Sequence, residues 1–546
     1  MEEELKTLFK NGNIHTMDEV TVADAFVVDG NKFVYVGTES GARDYLNNHS
    51  FNEVDLKGHF VLPGFNDSHM HFLHFAKGLK NVDLVGVKSI EEIKCRIKRS
   101  FEKRDAGDNS WIEGVGWNHD YFTDEKRFPN KFDLDGITGD VPVMIMRACF
   151  HVGVLNSAAL KIVGLNKETA KQYGHLIETL PDGEPNGVIK EGLLSIVKIS
   201  IYDRGLEALK NIMEEAQYFA LAQGITSVQT DDIGYTTERD YKLLFQALKE
   251  LDEEGRLKVR IGEQCSIPDI DLLKGFFQKG YNHGWGNNKY RIVCIKLFTD
   301  GSLGARTAAL RNPYNDDPST NGIEIMTQDE INELVLLSHK NNCPVAIHAI
   351  GDKAIEMSLN AIEYAQKEYP DNNPRHGIVH CQITEEELLN RIRKLNVITY
   401  IQPIFIDYDM NIVYDRVGKD LAETSYAWKT MINKGVHASF GTDCPVERFD
   451  TMPNIYSAVT RKGITGEDKK IYLPDEKLSM DEALKSYTIE GAYASGEEDI
   501  KGSITAGKLA DFVLLDKDLY NLTDEKEILG TQIIETYVDG KSVYRK

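Results

Sequence analysis

The chain has 546 residues, an ordinary share of apolar and charged residues, and a formal net charge of -23. That length suits two or more domains or one large barrel with an appendage. The charge disfavours a nucleic-acid partner or an anionic membrane surface. Met1-Glu2-Glu3-Glu4 is acidic where a signal peptide would be basic, and no long apolar run suggests a membrane span. The seven cysteines are scattered, without a Cys-x-x-Cys pair, which favours a reducing cytoplasm over a disulfide frame.

The first sixty residues read as short strands around Asn11-Gly12 and Asp29-Gly30-Asn31 turns. The C-terminus repeats this style at 510–516 and 536–544. Residues 1–60 and 500–546 are therefore expected to form one small β-sandwich domain. The middle, 61–499, alternates strands and helices. Strands are expected before His69 and at 224–228, 258–262, 292–298, 345–348, 377–380, 397–401 and 437–441. Thr327…Glu330, Thr384…Glu387 and Ser479…Glu482 look like capping boxes that open helices. Eight strands alternating with helices predict an α/β fold, a (β/α)8 TIM barrel. The span 75–220 is too long for one connection and carries a hairpin signal at Pro181-Asp182-Gly183. It reads as an insertion after the first barrel strand that covers the barrel mouth.

Chemistry-bearing residues recur at the C-terminal ends of these strands, where barrel enzymes place their sites. His69 and His71 follow the apolar run Phe60-Val61-Leu62-Pro63-Gly64. Residues two apart on a strand share a face, so both imidazoles reach toward one point as metal ligands. Lys296, His348, His380 and Asp443 end later strands. Each alone has a plainer reading: Lys296 paired to Asp300, His348 or His380 in the core, Asp443 as a helix cap. Their joint placement is what points to a shared centre.

These motifs resemble the amidohydrolase superfamily, in its YtcJ-like branch that includes N-substituted formamide deformylases. The resemblance runs from Asp55-Leu56-Lys57-Gly58 and Leu62-Pro63-Gly64-Phe65-Asn66-Asp67-Ser68-His69-Met70-His71 through Gly114-Val115-Gly116-Trp117, Lys296-Leu297-Phe298-Thr299-Asp300-Gly301-Ser302-Leu303-Gly304, His348-Ala349-Ile350-Gly351-Asp352 and Gly441-Thr442-Asp443-Cys444-Pro445-Val446. It ends at Gly502-Ser503-Ile504-Thr505-Ala506-Gly507-Lys508-Leu509-Ala510-Asp511-Phe512. It implies one or two divalent metals, zinc first, held by His69, His71, His348, His380 and Asp443. Lys296 would be N-carboxylated and bridge the ions. Asp443 would also shuttle the proton while a metal-bound hydroxide cleaves the C–N bond of an amide or formamide. Trp117, His119, His151 and Gln402 are candidates for lining the substrate pocket, with plain packing the alternative. The resemblance further implies a small-molecule substrate and a homodimer. A deaminase or an ester or phosphotriester hydrolase on the same barrel is the alternative. A deaminase would want His-x-x-Glu after the fifth strand, which is missing here, and would leave Lys296 without a task. A non-catalytic assembly protein is disfavoured because every ligand is retained.

Overall fold

The structure is a computed structural model. It describes residues 5–19, 21–47, 50–104, 110–147, 152–190, 193–194, 197, 205–235, 241–464 and 470–546. By contacts the chain divides into two compact units, Met1–Phe75 with Lys210–Lys546, and Ala76–Leu209.

The larger unit holds an eight-stranded parallel sheet curled into a barrel. Its strands are β1 (Phe65–Met70), β2 (Ile225–Thr230), β3 (Arg260–Ser266), β4 (Tyr290–Phe298), β5 (Val345–Ala349), β6 (Gly377–His380), β7 (Ile398–Ile401) and β8 (Ala438–Phe440). They pair in sequence order from β1 to β8. The (β/α)8 expectation is met. Strands enclosed on both faces read as near-continuous apolar runs, as in Ile292-Val293-Cys294-Ile295. The closure between β8 and β1 runs through isolated bonds. Asp443 N–H donates to the His69 carbonyl at 2.8 Å and His71 N–H to the Cys444 carbonyl at 2.8 Å. Gly441 permits this approach, because a Cβ there would sit 2.6 Å from His69 N.

Strands from both termini form two further sheets in the same unit. One is four-stranded; the other is six-stranded and pairs Phe512–Leu515 with Phe60–Pro63. Phe9, Phe26, Phe33, Phe512 and Tyr537 pack into one buried cluster between them. The apolar run Phe60–Pro63 thus belongs to a terminal sheet, not to the barrel strand bearing His69. Gly64 separates the two strands. Arg260, at the start of β3, ties the barrel to this region through a buried pair with Asp511 at 2.6 Å and a contact to Asp539 at 2.6 Å.

The helix-start signals divide. Thr327 and Ser479 form reciprocal capping boxes with Glu330 and Glu482. Thr384 does not cap: the next helix is Glu386–Lys394, and the Thr384 hydroxyl donates to the Thr424 carbonyl at 2.7 Å. A tertiary partner outcompetes the local cap.

The smaller unit, Ala76–Leu209, has its own six-stranded sheet. Its hairpin of Ile177–Thr179 and Pro185–Lys190 turns through Gly183 at φ +90°. This unit ends eleven residues before the expected 220. The reason is the helix Leu206–Ala222, most of which belongs to the larger unit. Gln217 accepts from Val259 N–H at 2.9 Å and the Leu221 carbonyl accepts from Thr536, both in that unit.

A buried histidine pair leads to a stability prediction. His376 Nδ1 accepts from Val345 N–H at 3.1 Å, and its Nε2 lies 2.9 Å from His339 Nδ1. His339 Nε2 donates to the Tyr369 carbonyl at 3.0 Å. Every ring nitrogen is matched when both rings are neutral, and neither has a place for an added proton. Burial lowers the His376 pKa from 6.5 to about 3. The folded value lies below the unfolded one, so this contribution is full above pH 6.5 and is lost as pH falls toward 3. The loss should be on the order of a few kcal/mol. Urea unfolding midpoints from pH 7 down to 4 check it. His376→Gln should show a shallower decline; an unchanged slope would sink the assignment.

Candidate metal centre

The strand ends bring His69, His71, Lys296, His348, His380 and Asp443 together. His69 Nε2 and His71 Nε2 lie 3.3 and 3.1 Å from the same Asp443 Oδ1. The rings run on as a chain: His71 to His69 at 5.3 Å between centroids, His69 to His380 at 5.8 Å, His380 to His348 at 4.5 Å.

The outward nitrogen of each ring meets a protein acceptor. His69 Nδ1 lies 2.6 Å from Gln264 Oε1, and His380 Nδ1 2.7 Å from Gln402 Oε1. These amides are oriented by their own donors, since Gln264 Nε2 donates to the Ser68 carbonyl and Gln402 Nε2 to the Tyr400 carbonyl. His348 Nε2 lies 3.0 Å from the Gly301 carbonyl, and His71 Nδ1 3.4 Å from the Asp231 carbonyl. Acceptors on the outside require N–H there, which leaves a lone pair on each inward nitrogen. The inward atoms His348 Nδ1 and His380 Nε2 then stand 3.0 Å apart. Two lone pairs that close repel unless a cation lies beside them. The donor set therefore fits a metal centre.

The electrostatics of three of the four rings agree, since burial lowers His69, His348 and His380. Burial lowers the His69 pKa to about 4 and the His348 pKa to about 3, with Lys296 next in effect at each. Both rings stay neutral, as ligands must be. Burial alone would raise Asp443; a proton on a facing imidazole holds it well below the usual carboxylate range, the same pairing raises the His71 pKa, and a bound cation would take that proton's place. His380 and Asp443 take φ of +75° and +57°, a left-handed backbone that non-glycine residues adopt at a cost. Two strained residues of one site fit a role that requires their exact placement.

Lys296 is fully buried, and its amine has no hydrogen-bond partner. It lies 4.3 Å from the centre of the Phe298 ring. Burial lowers its pKa to about 8, against the pull of Asp231 and Asp443. Asp300 is not its hydrogen-bonded partner. That carboxylate instead accepts N–H bonds from Ala309, Ile350 and Gly351 and lies 3.4 Å from His348 Nε2.

The pocket-lining candidates fare differently. Gln402 is buried behind His380 as its positioning partner. Trp117 is enclosed in the hydrophobic cluster of the smaller unit. His119 also belongs to that unit, 4.6 Å from the Phe128 ring and 3.5 Å from Asp120. His151 lies outside the described residues. Sequence reasoning missed Gln264, which orients His69, and Asp67, which accepts from His69 N–H and from the Thr442 hydroxyl at 2.6 Å. Polar residues in the middle of fully buried strands were the available signal. Replacing either glutamine by leucine (Gln264→Leu or Gln402→Leu) should weaken metal affinity by about 10–100-fold without unfolding the chain. Chelator competition measures this; unchanged affinity in both variants would remove their positioning role.

A parallel barrel with histidine, lysine and aspartate at its strand ends defines a metal-dependent hydrolase fold. Residues 52–544 match the amidohydrolase family model. The chain belongs to the amidohydrolase family. It is 30% identical over 544 residues to the amidohydrolase YtcJ of Bacillus subtilis (strain 168), covering 99% of this chain and 100% of that one. It is 26% identical to the N-substituted formamide deformylase of Arthrobacter pascens, over 98% of each. Among solved structures, an uncharacterized metal-dependent hydrolase from Pyrococcus horikoshii OT3 superposes with a TM-score of 0.80 at 32% identity, covering 95% of this chain and 98% of that one. No helix among the described residues is long and apolar enough to cross a membrane.

Proposed function

We propose that this chain hydrolyses the C–N bond of an amide, with N-substituted formamides as the first class to test, at a centre of two zinc ions. The carrying observation is that His69 and His71 meet at Asp443 and His348 meets His380 through their inward nitrogens, beside a buried lysine amine without a hydrogen-bond partner. His69, His71 and Asp443 would hold one ion and His348 and His380 the other. Lys296, as its carbamate, would serve both. Such ions, when bound, polarise a carbonyl and acidify water.

The chain's own residues supply the rest. A pKa near 8 leaves a share of the Lys296 amine neutral at physiological pH, able to add to carbon dioxide and release a proton. The product is an anion in a place where the charged ammonium has no hydrogen-bond acceptor. Asp443, ionised well below neutrality, accepts a proton from the attacking water. It returns that proton to the amide nitrogen as the C–N bond breaks, releasing an amine and a carboxylic acid. Gln264 and Gln402 keep the rings in register. Similarity to a formamide deformylase supports the choice of substrate class.

The test is formate release from a panel of N-alkyl and N-aryl formamides by zinc-reconstituted protein. Turnover that requires the metal is expected. Absence of hydrolysis across formamides and longer amides, with both ions bound, would overturn the reading.

A further inference from the structure

A cleft of about 180 Å³ lies beside the centre, within the larger unit. Ile350, two residues beyond His348, and Phe405 and Tyr408 give it apolar walls. Phe405 stacks on His380 at 5.7 Å between centroids, so the cleft abuts the metal ligands. Its polar lining is two carboxylates and an amide, with the Ser302 and Tyr408 hydroxyls beside them. Asp409, Glu447 and Gln382 all line it.

Gln382 is only 4% exposed, yet its side-chain oxygen has no hydrogen-bond partner. Leaving a buried amide oxygen unmatched is costly. Asp409 is buried and accepts the Tyr426 hydroxyl at 2.7 Å, but it makes no ion pair among the described residues. Glu447 is half-buried and likewise unpaired by any described cation. Like charge gathered in a partly desolvated cleft is unfavourable, and burial raises both carboxyls above their ordinary range. Two carboxylates without a cation, beside an unmatched buried amide oxygen, make a site for a ligand that brings N–H donors and a positive charge.

We infer that the cleft of Gln382, Asp409 and Glu447 binds a cationic nitrogen group of the substrate, an ammonium or guanidinium carried on an apolar chain. This rests on the proposed amide hydrolysis and narrows it. The substrate is an amide whose apolar body ends in a cation. Ile350, Phe405 and Tyr408 take the hydrocarbon, and the acceptors take the charged end.

Binding tests the inference without relying on turnover. Calorimetry on the purified protein should show n-butylammonium binding at least about tenfold more tightly than n-butanol, the size expected for hydrogen bonds to a charged group. Added salt should reduce that preference. Glu447→Gln, at the half-buried edge, and Gln382→Leu should each weaken n-butylammonium by several-fold and leave n-butanol unchanged. Asp409→Asn keeps an acceptor for Tyr426 and should lose about tenfold. Equal binding of the two probes, or no change in all three variants, would overturn the cation site. Selective n-butylammonium binding by a protein that hydrolyses no amide would support the cleft as a cation site and reject the catalytic reading instead.

Discussion

Asp443→Asn is expected to lower kcat for amide hydrolysis by about 10²–10⁴-fold, the usual worth of a positioned acid–base group. Asparagine has the same size and keeps an oxygen near His69 and His71. The backbone bond from residue 443 to the His69 carbonyl is untouched by the change. The variant should therefore fold and retain most of its metal, and the loss should appear in kcat more than in KM. The physical reason is that only the carboxylate can take a proton and give it back. Its carboxyl is held ionised against burial by positive charge at the face it shares with His69 and His71, a proton there or a bound cation. Steady-state kinetics with a thermal melt on the same sample make the check. Wild-type turnover in a well-folded Asp443→Asn protein would remove Asp443 from the mechanism.

Lys296→Ala is expected to reduce bound metal and to lower kcat/KM by about 10²–10³-fold or more, as for loss of a group that stabilises developing charge. The buried amine has no partner to lose, so this is not the breaking of a buried ion pair. What would go is the proposed carbamate, the anion that would serve both ions. Acetate or propionate should restore part of both metal content and activity by placing a carboxylate in the vacated space. Lys296→Met fills the same space without an anion and should resist rescue. Unchanged metal stoichiometry in both variants would exclude a bridging role.

Much of this was legible in the sequence because barrel strands are local objects. Each buried strand is a short apolar run, and each candidate ligand lies at or just past the end of one, so the eight strands and the five metal-ligand candidates around Lys296 could be placed without long-range information. What was not legible depended on distant partners. Phe60–Pro63 reads as the strand that carries His69 until Phe512–Leu515 claims it. Thr384 has the spacing of a cap until Thr424 takes its hydroxyl. Gln402 is suggestive of a pocket, but its oxygen belongs to His380. Gln264 carries no motif, and its place beside His69 appears only when β1 and β3 lie in one barrel. The cleft of Gln382, Asp409 and Glu447 is assembled from segments after three different strands, and no spacing in the chain announces it.

The central claim is a centre of two ions bridged by carboxylated Lys296. Elemental analysis of freshly purified protein, together with carbon-13 spectroscopy after equilibration with labelled bicarbonate, tests it most directly. The account predicts close to two divalent ions per chain and a carbamate signal that disappears in Lys296→Ala. A chain that binds no divalent ion, even after zinc is supplied, or that binds two without a carbamate signal, would contradict it.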